Sequence, residues 1–275
     1  MNKLSDDQRA KVVAALIEGN SIRSTVRMTG VAKNTVQKLL LDLGAACSEY
    51  LDKSIRNLKS ERVQIDELWS FVAAKQKNVA PAIVSRTGYA GDAWTFVAID
   101  ADSKLVISWM VGPRDAKSAK NFLDDVSGRL SNLVQVTTDG HKMYFSAVPD
   151  AFPQGVDFAM LVKIYGAPND GETRYSPAQC LGCESHAITG NPDPKHISTS
   201  YIERQNLTVR MSNRRFTRLT NAFSKKIESH IASIALHYVY YNFVRIHQTL
   251  RVTPAMQAGI ADHAWSVAEL VKTLL

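Results

Sequence analysis

Two aspartates and a glutamate in this 275-residue chain have the type and placement to do chemistry. Asp66 lies inside an apolar run, between Ile65 and Leu68, and Asp139 follows Val134 and Val136 and precedes Gly140. Burying a carboxylate is costly unless it is paired or bound to a metal. Taken singly, each aspartate is equally a strand-end turn residue or a salt-bridge partner. Side by side, the two would repel unless they share a proton or a cation, and hard oxygen ligands around a wet site suit Mg²⁺ or Mn²⁺. A third acid must come from later in the chain. Glu203, early in the stretch Tyr201-Ile202-Glu203-Arg204-Gln205-Asn206, is the candidate. Ser200 and Glu203 also have capping-box spacing, so spacing alone leaves ligand and cap open. A pair of cations about 3.5–4 Å apart activates a water or hydroxyl and stabilises the leaving oxygen. No Ser, Cys or Lys nucleophile is signposted, and there is no P-loop, which argues against an ATP-driven enzyme.

The elements that must position these acids can be read from the pattern. Strands are expected at 62–71, 94–100, 105–111, 133–138 and 157–164, with helices at 116–129 and near 144–151. Three consecutive strands, a crossover helix, a strand, a helix and a strand imply a mixed sheet flanked by helices. In that order the first and fourth strands can be neighbours, which would join Asp66 to Asp139. Residues 165–197, rich in Gly, Pro, Asn and Asp, read as an irregular insertion. Helices resume near Ser200 and run with breaks to Arg245.

Ahead of the sheet, residues 5–43 read as three short helices. Ser5 and Gln8 form a capping box, Ser21 caps the second helix, and Thr29-Gly30-Val31 is a tight turn. The third helix, 32–43, is expected to stop at Gly44, with 45–61 as a helical connector. Helix, Gly-containing turn, helix is the helix-turn-helix arrangement. Lys33, Asn34, Thr35, Gln37 and Lys38 lie on its outer face, as in a helix that reads a DNA major groove; a plain three-helix or dimerisation bundle is the competing reading.

The formal charge is +7, and from Lys195 to Arg251 ten Lys and Arg stand against two Glu. Such a block, with Arg204, Arg210, Arg214 and Arg215, suits a polyanion, or is simply a solvated helical surface. Three cysteines are too few for a disulfide scaffold. Cys180 and Cys183, with His186 and His196 downstream, offer half of a zinc site or ordinary loop thiols. No apolar run approaches the ~18–20 residues of a membrane span, and no signal-peptide core opens the chain, so a cytoplasmic protein is expected.

Four strings in order, DELWSFV (66–72), TTDGH (137–141), STSYIERQN (198–206) and YNFVRIHQTLRVTPA (241–255), resemble bacterial insertion-sequence transposases of the DDE superfamily. The similarity is closest to the group named for the first numbered insertion sequence, and it runs from about residue 62 to 258. It implies a ribonuclease-H-like mixed-sheet catalytic domain with C-terminal helices, an acidic triad of Asp66, Asp139 and Glu203, and Mg²⁺ or Mn²⁺. His141 is read as a turn residue or as a neighbour of the reacting phosphate. The implied organisation is a helix-turn-helix domain at 1–44, a connector at 45–61, the catalytic domain at 62–258 and a helical tail at 259–275. The implied reaction is cleavage at the ends of a double-stranded element and transfer of the 3′-hydroxyl into target DNA, by a homo-oligomer associated with the bacterial nucleoid. The separation of Asp139 and Glu203 exceeds the compact spacing of many DDE enzymes. Two rivals stay open: a non-catalytic, transposase-derived repressor, and a nuclease without strand transfer.

Overall fold

The computed structural model describes residues 4–166 and 179–275. The capping box forms at α1 (Asp6–Ile17), where Ser5 and Gln8 exchange hydrogen bonds of 3.2 Å. Helix α2 (Ile22–Thr29) is capped by Ser21 and ends at Gly30, whose φ of 70° turns the chain in the left-handed region open to glycine. Helix α3 (Lys33–Ser54) follows and does not stop at Gly44. Its C-terminal carbonyls are met instead by Arg129, which donates to Leu51 and Ile55 at 3.2 and 3.3 Å while pairing with Asp52 and Asp125. That buried guanidinium closes the end of the helix, where a glycine was expected to.

The sheet strands are β1 (Arg62–Val72), β2 (Gly91–Asp100), β3 (Val106–Gly112), β4 (Gln135–Asp139), β5 (Asp157–Tyr165) and β6 (Cys180–Thr189). Their spatial order is β3-β2-β1-β4-β5-β6. Strand β2 pairs antiparallel with both β1 and β3, β1, β4 and β5 run parallel, and β6 returns antiparallel to β5. This mixed sheet is consistent with a ribonuclease-H-like fold. Strand β6 corrects the irregular insertion expected at 165–197, of which residues 167–178 lie outside the described residues. It is an edge strand with nearly every side chain exposed, so it carries no apolar alternation to betray it. Helix α4 (Pro81–Thr87) sits in the excursion between β1 and β2. Helices α5 (Ala116–Ser127) and α6 (Tyr144–Ala151) cover the face of β1 that carries Ile65 and Glu67, with Phe122 packed 5.7 Å from Phe96 of β2.

The opposite face, with Gln64, Asp66 and Ser70, is covered by α7 (Ser200–Ser212) and α8 (Ile227–Val239). Gly44 finds its role here. A Cβ at that position would come 2.4 Å from the Ala232 Cβ and 2.9 Å from its carbonyl oxygen, so α3 and α8 cross this closely only without a side chain. After α8 a single π turn, 240–244, brings Asn242 to the edge strand, where its amide pairs with both backbone groups of Val106 at 2.9–3.0 Å. Helix α9 (Pro254–Gln257) and helix α10 (Val267–Leu274) complete the chain, and Leu270 and Val271 of α10 are buried in the same core as α1 and α3. No helix among the described residues is long and apolar enough to cross a membrane.

Candidate active site

Parallel pairing of β1 with β4 runs from Arg62–Gln135 to Ile65–Thr138, so the next residue on each strand is Asp66 and Asp139. Ligands of open α/β sheets gather beyond the carboxyl ends of such strands. Oxygens of Asp66, Glu67 and Asp139 lie within 4.8 Å of one another. They border a cavity of about 560 Å³ that Lys163, Glu203, Asn206 and Arg210 also line.

Each carboxylate is held differently. Asp66 accepts the Glu67 backbone N–H and the Asn206 side-chain amide, both at 2.8 Å. Burial first, then the charges of Asp139 and Glu67, push its pKa from 3.8 up to about 7 against those hydrogen bonds. Asp139 accepts the His141 backbone N–H at 3.0 Å and lies 3.7 Å from Arg114. The Glu67 side chain is fully buried: one oxygen accepts from the Tyr144 hydroxyl and the other pairs with Arg114 at 2.9 Å. Burial raises its pKa too, though Tyr144 and Arg114 oppose it. Burial and the Glu67 charge hold the Tyr144 phenol far above its ordinary range, so it stays a donor.

Glu203 faces the same cavity from α7, outside the three-carboxylate group. Its oxygens meet Lys163 of β5 and the Thr199 hydroxyl, both at 2.5 Å. Of the two roles that spacing left open for Glu203, the capping box with Ser200 is absent. Thr199 is the residue that precedes the helix, and Ser200 is already its first turn. What anchors that turn is Gln64 of β1, which accepts the Tyr201 and Ile202 backbone N–H groups at 2.9 and 3.1 Å. One strand thus carries Asp66 and fixes the helix that carries Glu203.

An all-oxygen donor set with a surplus of negative charge fits a hard divalent cation. Among the described residues this is the one group of three or more acid, His or Cys side chains gathered at such a distance. Cys180 and Cys183 are exposed on β6. His141 serves the turn after β4, its Nδ1 accepting the Met143 N–H at 3.3 Å.

Of the expected basic residues, Lys33, Asn34, Thr35 and Lys38 are exposed on the first turns of α3, and Lys38 pairs with Asp42 at 2.5 Å. Arg204 is exposed on α7, while Arg210 turns into the acidic cavity. Arg214 and Arg215 line a separate cleft of about 670 Å³ between the N-terminal helices and α8, together with Arg23, Lys33 and Lys225. Glu67, Arg114, Asn206 and Lys163 were not anticipated. Alternation could have flagged Glu67, because it falls on the same buried face of β1 as Ile65.

No protein-family model matches the chain, and no curated protein matches it in sequence. Solved structures to which the chain shows similarity include transposase and intasome structures. One is the simian T-cell lymphotropic virus intasome in complex with PP2A regulatory subunit B56 gamma: 14% identity, 91% of this chain, 74% of that chain, TM-score 0.39. A second is the piggyBac transposase synaptic complex with hairpin DNA: 9% identity, 100% and 71% coverage, TM-score 0.39. A third is the Mos1 transposase paired-end complex with left transposon end: 13% identity, 57% and 60% coverage, TM-score 0.25.

Proposed function

We propose that this chain is a DNA transposase of the DDE superfamily, similar to those of bacterial insertion sequences, which cleaves element ends and joins them to target DNA. The observation that carries the reading is the meeting of Asp66, midway along β1, with Asp139, at the end of β4, just past the last parallel pair of those strands and in a cavity shared with Glu203. Asp66, Asp139 and Glu203 would hold Mg²⁺ or Mn²⁺. The cation supplies Lewis acidity, easing deprotonation of a water or 3′-hydroxyl and offsetting charge on the scissile phosphate. Around it the chain's own residues do the placing. Asn206 orients Asp66, Tyr144 and Arg114 fix Glu67, and Lys163 keeps the Glu203 carboxylate at the cavity. Arg210, in the same cavity, is positioned to pair with a phosphate.

In this reading residues 1–44 form a helix-turn-helix that engages the element's ends through Lys33, Asn34, Thr35 and Lys38. Residues 62–258 are the catalytic part, and Arg204, Arg214 and Arg215 contact backbone phosphates. A homo-oligomer follows from the need to hold two DNA ends together.

The test is a supercoiled plasmid carrying the genomic DNA that flanks the coding sequence, incubated with the protein and Mg²⁺ or Mn²⁺. Nicked and joined products are expected. Asp66→Asn and Asp139→Asn should lose both by orders of magnitude while retaining DNA binding. Full activity in chelator, or in either variant, would refute the assignment; binding without any nicking would favour a repressor.

A further inference from the structure

A chain of rings and cations leads away from the acids along β1. Arg114, which pairs with Glu67, lies 4.6 Å from the ring of Trp94. Trp94 is the cross-strand partner of Trp69. Trp69 and Phe71 project from the same face of β1 with ring centres 5.9 Å apart, and Phe223 lies 4.6 Å beyond Phe71. Lys225 stands 3.1 Å over the Phe223 ring and Lys75 6.0 Å from that of Phe71.

Trp94 packs against the core, but Trp69, Phe71 and Phe223 lie outside it and are only partly buried. Trp69, Phe71 and Phe223 floor a cavity of about 900 Å³ whose described lining includes Lys75, Lys77, Arg215 and Arg218 and no carboxylate. Aromatic faces set among unopposed cations are what unpaired nucleic acid requires, because each base offers a face to stack on and each phosphate a charge to meet. A duplex keeps its base faces covered and cannot use them. Trp69 and Phe71 lie three and five residues past Asp66, about 10 and 17 Å along an extended strand. Both project from the Glu67 face of β1, opposite Asp66, so a single strand reaching them from the proposed cleavage point passes on the side of the site held by Glu67 and Arg114.

We infer that this groove is a single-stranded DNA subsite, in which bases unpaired beside the cleaved phosphate stack on Trp69, Phe71 and Phe223. Their backbone runs along Lys75, Lys77 and Arg218. The inference rests on the proposed DNA-cleaving role, but it is tested by binding alone.

The full chain is titrated in chelator with a labelled oligothymidine and with a duplex of equal length, reading fluorescence anisotropy. Phe71→Ala should weaken oligothymidine binding about 5–100-fold and leave duplex binding within about twofold, whereas Phe71→Tyr should bind like the parent. The exposed pair Lys75→Ala/Lys77→Ala, which carries no risk to the core, should reduce the single-strand salt slope by about 1.4. Absence of oligothymidine binding by the parent would overturn the subsite. So would equal losses for both DNA forms in Phe71→Ala, or an unchanged salt slope in the lysine variant. Because Asp66→Asn should bind oligothymidine normally, loss of nicking with binding intact bears on catalysis alone.

Discussion

Removing the charge of Asp66 should stabilise the protein in chelator, although it should end catalysis. The carboxyl has its ordinary pKa near 3.8 in the unfolded chain and about 7 in the fold. Between those values the native state holds a proton that the unfolded state has released. Stability therefore falls as pH rises from 3.8 to 7, by up to about 1.36 kcal/mol per pH unit, and levels off above 7. Over that interval the penalty reaches about 4 kcal/mol. Asp66→Asn removes it without changing shape. The substituted side chain still accepts the Glu67 N–H, and Asn206, whose Oδ1 is buried without a partner, can turn its amide to receive the new donor. A gain of roughly 2–4 kcal/mol is expected at pH 8, or roughly 5–15 °C in Tm. Thermal melts of parent and variant in chelator at pH 8 and pH 5 measure it. At pH 5 the gap should shrink to less than half, because Asp66 is then protonated in the native parent. Adding Mg²⁺ or Mn²⁺ at pH 8 should stabilise the parent and close the gap from the other side. A variant no more stable than the parent at pH 8, or a gap indifferent to pH, would refute the electrostatic account of this site.

Glu203→Gln should abolish strand cleavage in the plasmid assay while costing only about 0.2–1 kcal/mol in denaturant melts, since its pair with Lys163 is partly exposed. Normal cleavage by that variant would move the third acid elsewhere. Gly44→Ala should destabilise the fold by at least about 1–3 kcal/mol, and adding Ala232→Gly should not rescue it, because the backbone Cα of residue 232 would still lie 2.5 Å from the new methyl. Urea melts showing a neutral single variant would contradict the close crossing of α3 and α8.

Pattern reading reached the sheet because β1 to β5 each bury apolar residues, and their sequence order implied that β1 and β4 are neighbours. Asp66 and Asp139 followed from that adjacency. Strand β6 escaped because pairing with β5, not burial, makes it a strand. Gly44 was misread because a glycine that ends a helix and one that admits a neighbouring helix look alike until the partner, Ala232, is in place. Helix α7 starts one residue earlier than the Ser200 cap that spacing allowed: Thr199 precedes the helix and gives its hydroxyl to Glu203 rather than capping a backbone N–H, a choice that only geometry makes. The roles of Lys163, Arg114 and Tyr144 depend on contacts spanning 40 to 77 positions, a distance over which local pattern is silent.

The two glutamates near Asp66 and Asp139 differ in what their oxygens are free to do. Glu67 is closer, but its side chain is wholly buried and both oxygens are committed, one to Tyr144 and one to Arg114. Freeing the first would leave the buried Tyr144 hydroxyl without its acceptor, at a cost of about 1–3 kcal/mol, and freeing the second would strip Arg114 of its closest partner. Its contribution is to hold Arg114 against Asp139 and over Trp94. Glu203 has a partly exposed side chain, and its main partner, Lys163, can transfer to water or to a phosphate at little cost. Its backbone cannot drift, because Gln64 fixes the first turn of α7 and Asn206 ties the next turn to Asp66. A cation between Asp66 and Asp139 would therefore compete with Lys163 for a carboxylate that has only to rotate. That makes Glu203, the more distant acid, the better third ligand, and it leaves Lys163 beside the cavity to meet the phosphate.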